Sequence, residues 1–451
     1  MSAASAGWTL CIDFGTAYSK AAAAPNDSWA RFDPAWVRPL ALAGFEGGNA
    51  FLLPSAVFVA DEAVLFGAAA LERAEGLARH GRMALRSFKT LLSVSDLDRA
   101  LKTNAPTAID PHRMFTMRDL IVLYLAFLSA AIARAQAADP ELAGERFANR
   151  RYAAPAWRSG DSAGLHTSIV ALFSEAEALA AEVGERLLAS EGIEIAAVES
   201  LLSEARSAAR PLRMGLIFEA SAAAAYTSIG LERSAAHMVV VDVGAGTTDI
   251  AAMFRSGGRI YELPQARATL KQAGEFIDRV IANLATEASG SQGSTQKQTA
   301  LWNLLMRQMQ DIKESLLYDG RALLRYGSRT LVLKWSDLER DRDFAEFRRN
   351  LQHAFDHSLA VACRHAHLEK RSEIQVIAVG GGSGAPFVQD MLHHARVDAK
   401  RFKVAARPAT PDWAHAEEFS GNLAPVFPQL AIAIGGAIAP DLMLAAGGEE
   451  D

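Results

Sequence analysis

Met238-Val-Val-Val-Asp242-Val-Gly244-Ala245-Gly246-Thr247-Thr248-Asp249-Ile250 is the stretch from which the fold is read. An apolar, β-branched run predicts a buried strand, and the Gly-x-Gly after it predicts a tight hairpin turn. Glycines let backbone N–H groups crowd an anion, and the hydroxyls of Thr247 and Thr248 add donors, so the turn suits phosphate. Asp242 and Asp249 flank the turn, where carboxylates suit a hydrated Mg²⁺ accompanying a nucleotide.

An echo lies near the start. Leu10-Cys11-Ile12-Asp13-Phe14-Gly15-Thr16-Ala17-Tyr18 repeats the order of apolar strand, aspartate, glycine and threonine. Asp13 and Asp242 are separated by about one domain length, which predicts two similar halves closing on one nucleotide. A third cluster, Ile374-Gln-Val-Ile-Ala-Val379-Gly380-Gly381-Gly382-Ser383-Gly384-Ala-Pro386, is a buried strand running into a glycine turn and then a helix. Close backbone approach to a flat ring or a ribose needs such residues, since any Cβ would obstruct it.

These three clusters resemble the first phosphate, second phosphate and adenosine motifs of the actin-like ATPase superfamily. In detail they are similar to the ATPase domain of the seventy-kilodalton heat-shock chaperones (DnaK type), over nearly the whole chain from about Leu10 to about Pro440. The resemblance implies an α/β, two-lobed fold of duplicated ribonuclease-H-like halves around a nucleotide cleft. It implies ATP or ADP with Mg²⁺ as cofactors, K⁺ as a further candidate ion, and hydrolysis coupled to lobe movement. On that pattern lobe I is 1–232 with 426–445, lobe II is 233–425, and 446–451 is an acidic tail.

The resemblance also places residues. Lys89, in Met83-Ala-Leu-Arg-Ser-Phe88-Lys89-Thr-Leu-Leu92, falls on the family segment that carries a catalytic lysine; locally, a lysine there could equally snorkel from an apolar helix face. Pro155 matches a proline implicated in signalling nucleotide state, and is otherwise a strand stop. Glu219, at a strand-to-helix junction, matches a water-orienting carboxylate on the Mg²⁺ side, or is a charge satisfying the helix dipole. Gly274 and Glu275 fall on the ribose contact, and Lys313 lies in register on the helix bordering adenine. The implied catalytic set is Lys89, Glu219, Thr247 and Asp249, with Asp13, Asp249 and Glu219 holding Mg²⁺ through water. The implied nucleotide contacts are Asp13, Gly15, Thr16, Ala17, Tyr18, Asp242, Gly244, Ala245, Gly246, Thr248, Gly274, Glu275, Lys313, Gly380, Gly381, Gly382 and Ser383.

Several positions depart from the family pattern. Gly384 stands where the family has an adenine-stacking arginine, Glu314 replaces another basic residue, and Ala17 replaces a second threonine. Ala245 takes a glycine's place and Ala220 a proline's. Catalytic residue types are kept while base-gripping ones are diluted, which predicts weaker nucleotide affinity or a looser base preference. The chain stops soon after Pro440, before any apolar interdomain linker, so the expectation is a domain without the peptide-binding sandwich and lid. It would then act as a nucleotide-driven switch on a separate protein partner. The rival readings are a nucleotide-sensing scaffold without turnover and a sugar kinase of the same superfamily.

Composition sets outer bounds. A chain of 451 residues suits two or more domains. Half its residues are hydrophobic and 22% are charged, as in ordinary globular proteins. A net charge of −6 carries no basic signature, so nucleic acid is not an expected partner. Two cysteines, Cys11 and Cys363, exclude a disulfide framework and fit a reducing compartment. No basic n-region or long apolar core opens the chain, and the apolar run Leu120 to Ala133 is short for a bilayer span. The expectation is therefore a cytoplasmic protein with no membrane contact; oligomeric state is left open.

Periodicity completes the reading. Residues 175–210 are rich in Ala, Glu and Leu, and predict a helical insertion on lobe I, serving as sheet cover or as a partner surface. Ser289-Gly-Ser-Gln-Gly-Ser-Thr predicts a flexible surface loop. Ser336-Asp-Leu-Glu339 predicts a capping box opening a helix with an apolar stripe of Phe344, Phe347, Leu351 and Phe355. His353 and His357, at i and i+4, face solvent on that helix in the plainer reading, with no third metal ligand evident.

Overall fold

The computed structural model describes residues 7–26, 33–43, 49–86, 88, 96–145, 147–154, 162–227, 237–256, 259–291, 294–397, 401–415 and 423–439. The chain divides into two compact units, Met1–Ile229 with Leu430–Asp441, and Gly230–Gln429 with Leu442–Asp451.

In the first unit, strand Trp8–Phe14 turns back antiparallel into Tyr18–Pro25, with Asp13 opposite Lys20 and Phe14 opposite Ser19. On its other side it pairs parallel with Phe147–Ala154, which pairs parallel with Gly215–Phe218. Arg38–Pro39 and Leu53–Pro54 border the second strand. The first strand is buried from Thr9 to Phe14 and mostly apolar because both faces are covered, the usual condition of parallel pairs.

The second unit repeats this arrangement. His237–Val243 turns back antiparallel into Thr248–Ser256, with Asp242 opposite Asp249, and pairs parallel with Glu373–Val379, which pairs parallel with Lys403–Ala406. Arg259–Leu270 closes the antiparallel side. In each sheet the first strand sits centrally, its hairpin partners to one side and its parallel partners to the other. The same strand order, used twice, makes the chain an α/β protein of two like halves.

Helices supply the cover. Met117–Ala138 opens on a capping box formed by Thr116 and Asp119. This helix has the length and hydropathy of a membrane span, yet 78% of its apolar window is buried inside the unit. The short apolar run noticed in the sequence is thus the middle of a 22-residue core helix. The Ala-, Glu- and Leu-rich stretch 175–210 falls largely within a pair of helices, Ser162–Val183 and Ile195–Ala208, joined through a 3-10 turn. Phe173, Ala176 and Leu179 of the first, and Val198 and Leu202 of the second, join the same core. Arg118 donates to both carboxylate oxygens of Glu175 across that packing, Nη1 reaching Oε2 at 2.7 Å.

Near the chain's end, helix Phe427–Ile438 packs its residues from Leu430 onward on the first unit. Its Gly435-Gly436 pair permits the approach, since side chains there would run into Ala222 O and Cys11 Sγ. Arg151 Nη1, itself buried, donates to Gly436 O at 3.1 Å and Ala439 O at 2.8 Å, satisfying carbonyls at the helix end.

Two local expectations need correction. The long helix of the second unit is Arg342–Leu368, and its cap is Asp341, which accepts from the N–H groups of Asp343 and Phe344. Ser336 and Glu339 belong to a separate short helix, Trp335–Arg340, because the chain breaks at Asp341. The stripe itself is as read: Phe344, Phe347, Leu351 and Phe355 are all buried. The serine-rich segment is also better anchored than its composition suggests. Ser289 Oγ donates to Thr286 O at 2.9 Å and lies 2.7 Å from Ser291 Oγ, and both serines are buried; residues 292–293 lie outside the described residues.

Candidate nucleotide site

In both units the acidic residues stand at the carboxyl ends of parallel strands, the edge where open α/β sheets bind ligands. In the first unit Asp13 is opposite Ala153 on the neighbouring strand, and Ala154 is opposite Phe218. Glu219 follows at once, as the first residue of helix Glu219–Thr227. Asp13 and Glu219 are therefore brought to one edge of one sheet, both buried. A carboxylate at a helix start is stabilised by the helix dipole, whatever else it does.

The turn Gly15-Thr16-Ala17 links the first hairpin and is held from below. Tyr124, on the long core helix, donates to Ser19 Oγ at 2.9 Å, and Ser19 Oγ lies 3.1 Å from Ser55 Oγ. Burial of this phenol pushes its pKa up to about 12. Its ring stacks on Phe14 and Phe88, with centroids at 5.6 and 4.7 Å. Phe88 thus packs against the first hairpin; Lys89 lies outside the described residues, as does Pro155.

The second unit assembles a denser site. Gly244 N donates to Thr247 O at 3.0 Å, closing the turn Gly244-Ala245-Gly246-Thr247. Asp249 accepts from Thr247 Oγ1 at 2.9 Å and from Thr269 Oγ1 at 2.6 Å, one hydroxyl on each oxygen, which fixes its carboxylate beside the turn. Thr248 is turned inward instead: it is fully buried and donates to Gln272 O at 2.9 Å, so its hydroxyl braces the loop.

Helix Gly274–Ser289 docks its N-terminus on the turn. Gly274 N donates to Gly244 O at 3.2 Å, and Glu275 N to Ala245 O at 2.8 Å. Lys313 comes from the next helix, Thr295–Tyr318, and its Nζ pairs with Asp278 Oδ1 at 2.8 Å. The same ammonium lies 3.5 Å from the place a Cβ on Gly274 would take, so a cation stands beside the helix start.

The third cluster arrives by the strand register. Asp242 is opposite Val379, so the loop from Gly380 emerges next to the hairpin turn. Gly382 N donates to Val243 O at 2.9 Å, and Ser383 is buried. Gly380 has φ +84°, and a Cβ there would strike Asp242 Oδ1 and lie 2.6 Å from Val243 O. Only glycine satisfies both conditions. The second unit therefore collects Asp242, Gly244 to Thr247, Asp249, Gly274, Glu275, Lys313 and Gly380 to Ser383 around one edge of its sheet.

Three residues of these surroundings were not picked out from sequence. Lys20 is opposite Asp13, and its Nζ lies 2.5 Å from Asp13 Oδ2. A lone charge in the otherwise small, apolar strand Tyr18–Pro25 was the available signal. Thr269 meets Asp249 because the third strand pairs in that register. Tyr318 places its hydroxyl 2.8 Å from the position of a Cβ on Gly384, so an aromatic from another helix fills space that an arginine there would use. Burial and the nearby Glu314 carboxylate both push the Tyr318 pKa up.

The residues fit a metal–phosphate ligand. Asp13 is buried, with Oδ1 accepting no hydrogen bond among the described residues, and hard carboxylate oxygens of this kind suit Mg²⁺ through water. The histidine pair reads otherwise: His357 Nε2 lies 2.9 Å from Gln265 O, and no group of three metal-binding side chains occurs among the described residues.

Two units of one strand order, each presenting an acidic hairpin at the carboxyl edge of its sheet, match the actin-like fold. A protein-family model described as Hsp70 protein matches residues 212–403, from just before strand Gly215–Phe218 to the start of strand Lys403–Ala406. Over those residues the chain is similar to the Hsp70 family, and the match supports an Hsp70-type, nucleotide-binding domain of the actin-like fold. Among curated proteins, none matches it.

Proposed function

We propose that this chain binds Mg·ATP, hydrolyses it to ADP and phosphate, and uses the exchange as a conformational switch acting on a separate protein partner in a chaperone-related role. The observation that carries the reading is the repeated strand order, with an aspartate one residue from the end of the central strand in each unit, Asp13 in one and Asp242 in the other.

In this reading Gly15, Thr16, Gly244, Gly246 and Thr247 hold the phosphates, and Asp13 and Asp249 orient water around Mg²⁺. Bound Mg²⁺ supplies charge neutralisation on the phosphates. Glu219 and Lys89 position the attacking water, and Thr247 stands at the terminal phosphate. Gly274, Glu275 and Lys313 take the ribose, while Gly380 to Ser383 let the base approach the backbone. Catalysis then consists mainly of placement and electrostatics, which requires all of these groups to converge. The buried thiols Cys11 and Cys363, both pushed up in pKa by burial, are consistent with a reducing, cytoplasmic setting, which belongs to the same proposal.

The test is phosphate release from Mg·ATP by purified protein, with Lys89→Ala and Asp249→Asn alongside. Release by the wild type that is lost in the variants supports hydrolysis. Nucleotide uptake with no release would make the chain a nucleotide-sensing scaffold, and phosphoryl transfer to a sugar in a substrate screen would make it a kinase. No uptake of ATP or ADP in calorimetry would refute the nucleotide reading altogether.

A further inference from the structure

The stretch 364–372 holds Arg364, His365, His367, Lys370 and Arg371 with Glu369 as its one acid, in a chain whose net charge is −6. It covers the end of helix Arg342–Leu368 and the approach to strand Glu373–Val379. Glu373 pairs in parallel register with Lys403, whose N–H donates to Ser372 O at 2.8 Å, so residues 401–403 run alongside. Arg401 donates to His367 Nδ1 at 2.6 Å and lies over Phe402, 5.9 Å from the ring centroid. The basic groups of both segments are thereby gathered at the amino ends of two parallel strands. The glycine loop from Gly380 stands at the other end of Glu373–Val379, about 20 Å away.

The helix dipole accounts for basic residues in a last turn, but not for what surrounds this one. Lys370 N donates to His367 O at 3.0 Å and Arg371 N to Ala366 O at 2.7 Å, closing the helix end. That closure sets Lys370 at φ +56°, a conformation glycine adopts with least strain, so a lysine there gives up stability. Leu368 is 79% exposed, the highest value for a large hydrophobic side chain among the described residues, and it lies one turn along the helix from Arg364. Among the described residues Arg364, Lys370, Arg371 and Arg401 form no ion pair with a carboxylate, and Lys403 reaches Glu373 only at 3.9 Å. Cations held together without counter-ions, around an uncovered leucine, make a surface complementary to an acidic one.

We propose that this end of the second unit is a docking surface for a protein that presents an acidic segment bearing an apolar side chain. Its carboxylates meet Lys370, Arg371 and Arg401, and its apolar side chain covers Leu368. A lipid surface is the poorer match, because membrane binding scales with apolar area and one leucine supplies little. The surface gives a chemistry to the separate partner of the proposed switch and rests on that reading only for the partner's role. Its test uses no nucleotide, so its failure would leave the nucleotide reading untouched.

The experiment is fluorescence anisotropy with a fluorescein-labelled polyglutamate peptide carrying a central leucine, at low and at physiological ionic strength. The wild type is expected to bind it, more weakly as salt rises. Lys370→Glu combined with Arg371→Glu should weaken binding at least about tenfold, and Leu368→Ala about threefold. Arg340 and Arg342, with side-chain exposures of 79% and 89%, lie at the far end of the same helix and just before it. Reversing both makes the same change in net charge and should leave affinity within about twofold. Lys370→Gly separates docking from a structural role: it should raise the denaturation midpoint, since the left-handed backbone then suits its residue, while lowering affinity for the peptide. A wild type that ignores the peptide, equal losses in the two charge-reversal pairs, or unchanged affinity in Lys370→Gly overturns the assignment. So does binding of phosphatidylserine vesicles or of heparin with the peptide ignored, which would give the surface to a membrane or to a nucleic-acid-like polyanion.

Discussion

Replacing Gly380 by alanine tests whether the third glycine cluster is shaped by contact with the second hairpin. Two costs add at that position. The backbone sits at φ +84°, where a residue with a Cβ is disfavoured by about 1–2 kcal/mol. The new methyl would also strike the Asp242 carboxylate and lie 2.6 Å from Val243 O, an overpacking of the kind that costs about 1–3 kcal/mol. Their sum is about 2–5 kcal/mol. Gly290 supplies the control, because it too has a positive φ, +63°, with no atom within 4 Å of its would-be Cβ. Gly290→Ala should therefore show the backbone cost alone, about 1–2 kcal/mol. Both variants would be measured by denaturant unfolding against the wild type, at constant slope. Gly380→Ala is expected to be the less stable by at least about 1 kcal/mol, and to weaken ATP binding as Asp242 is displaced. Equal losses in the two variants would refute the claim that the loop's glycine is demanded by Asp242 and Val243.

Two further outcomes follow from the same structure. Thr269→Val removes one of the two hydroxyls that orient Asp249; Mg·ATP turnover should fall roughly three- to tenfold with adenosine affinity unchanged, and phosphate-release kinetics at saturating Mg²⁺ would check it. His237 is 1% exposed, its Nε2 lies 2.9 Å from His365 Nδ1, and burial, followed by the charges of His365 and Arg371, brings its pKa down to about 4. Its folded pKa is below the ordinary value, so the unfolded chain binds the proton more readily and stability is lost as pH falls from about 6.5 toward about 4. The slope from this group is at most about 1.4 kcal/mol per pH unit. His237→Phe should flatten that part of the profile, measured by denaturation midpoints between pH 7 and pH 4.5.

Much of the candidate site was legible because its signals are local. A strand followed by Gly-x-Gly-Thr dictates its own turn, and the flanking aspartates are carried along by the chain, so Asp242 and Asp249 end up opposite each other without help from elsewhere. Glu219 was readable as a strand–helix junction, and it opens helix Glu219–Thr227. The apolar stripe of the helix Arg342–Leu368 follows from its period alone. Its start did not, because a serine-and-glutamate pair that satisfies the box pattern lost to Asp341, where the chain bends between two helices.

Tertiary structure decided the rest. Whether Lys20 meets Asp13 depends on the register of a hairpin, and a slip of one residue would send it to the other face. Thr269 reaches Asp249, and Tyr318 reaches Gly384, only through elements separated from them in sequence. The apolar helix Met117–Ala138 passes the length test for a bilayer, and only the elements packed around it show that it is a core helix. A chain carries its turns, its periods and its charges in its own order of residues. Which side chains share a site depends on packing between segments that the order leaves far apart, and that is why the glycine hairpins were readable directly while the cation beside the first one was not.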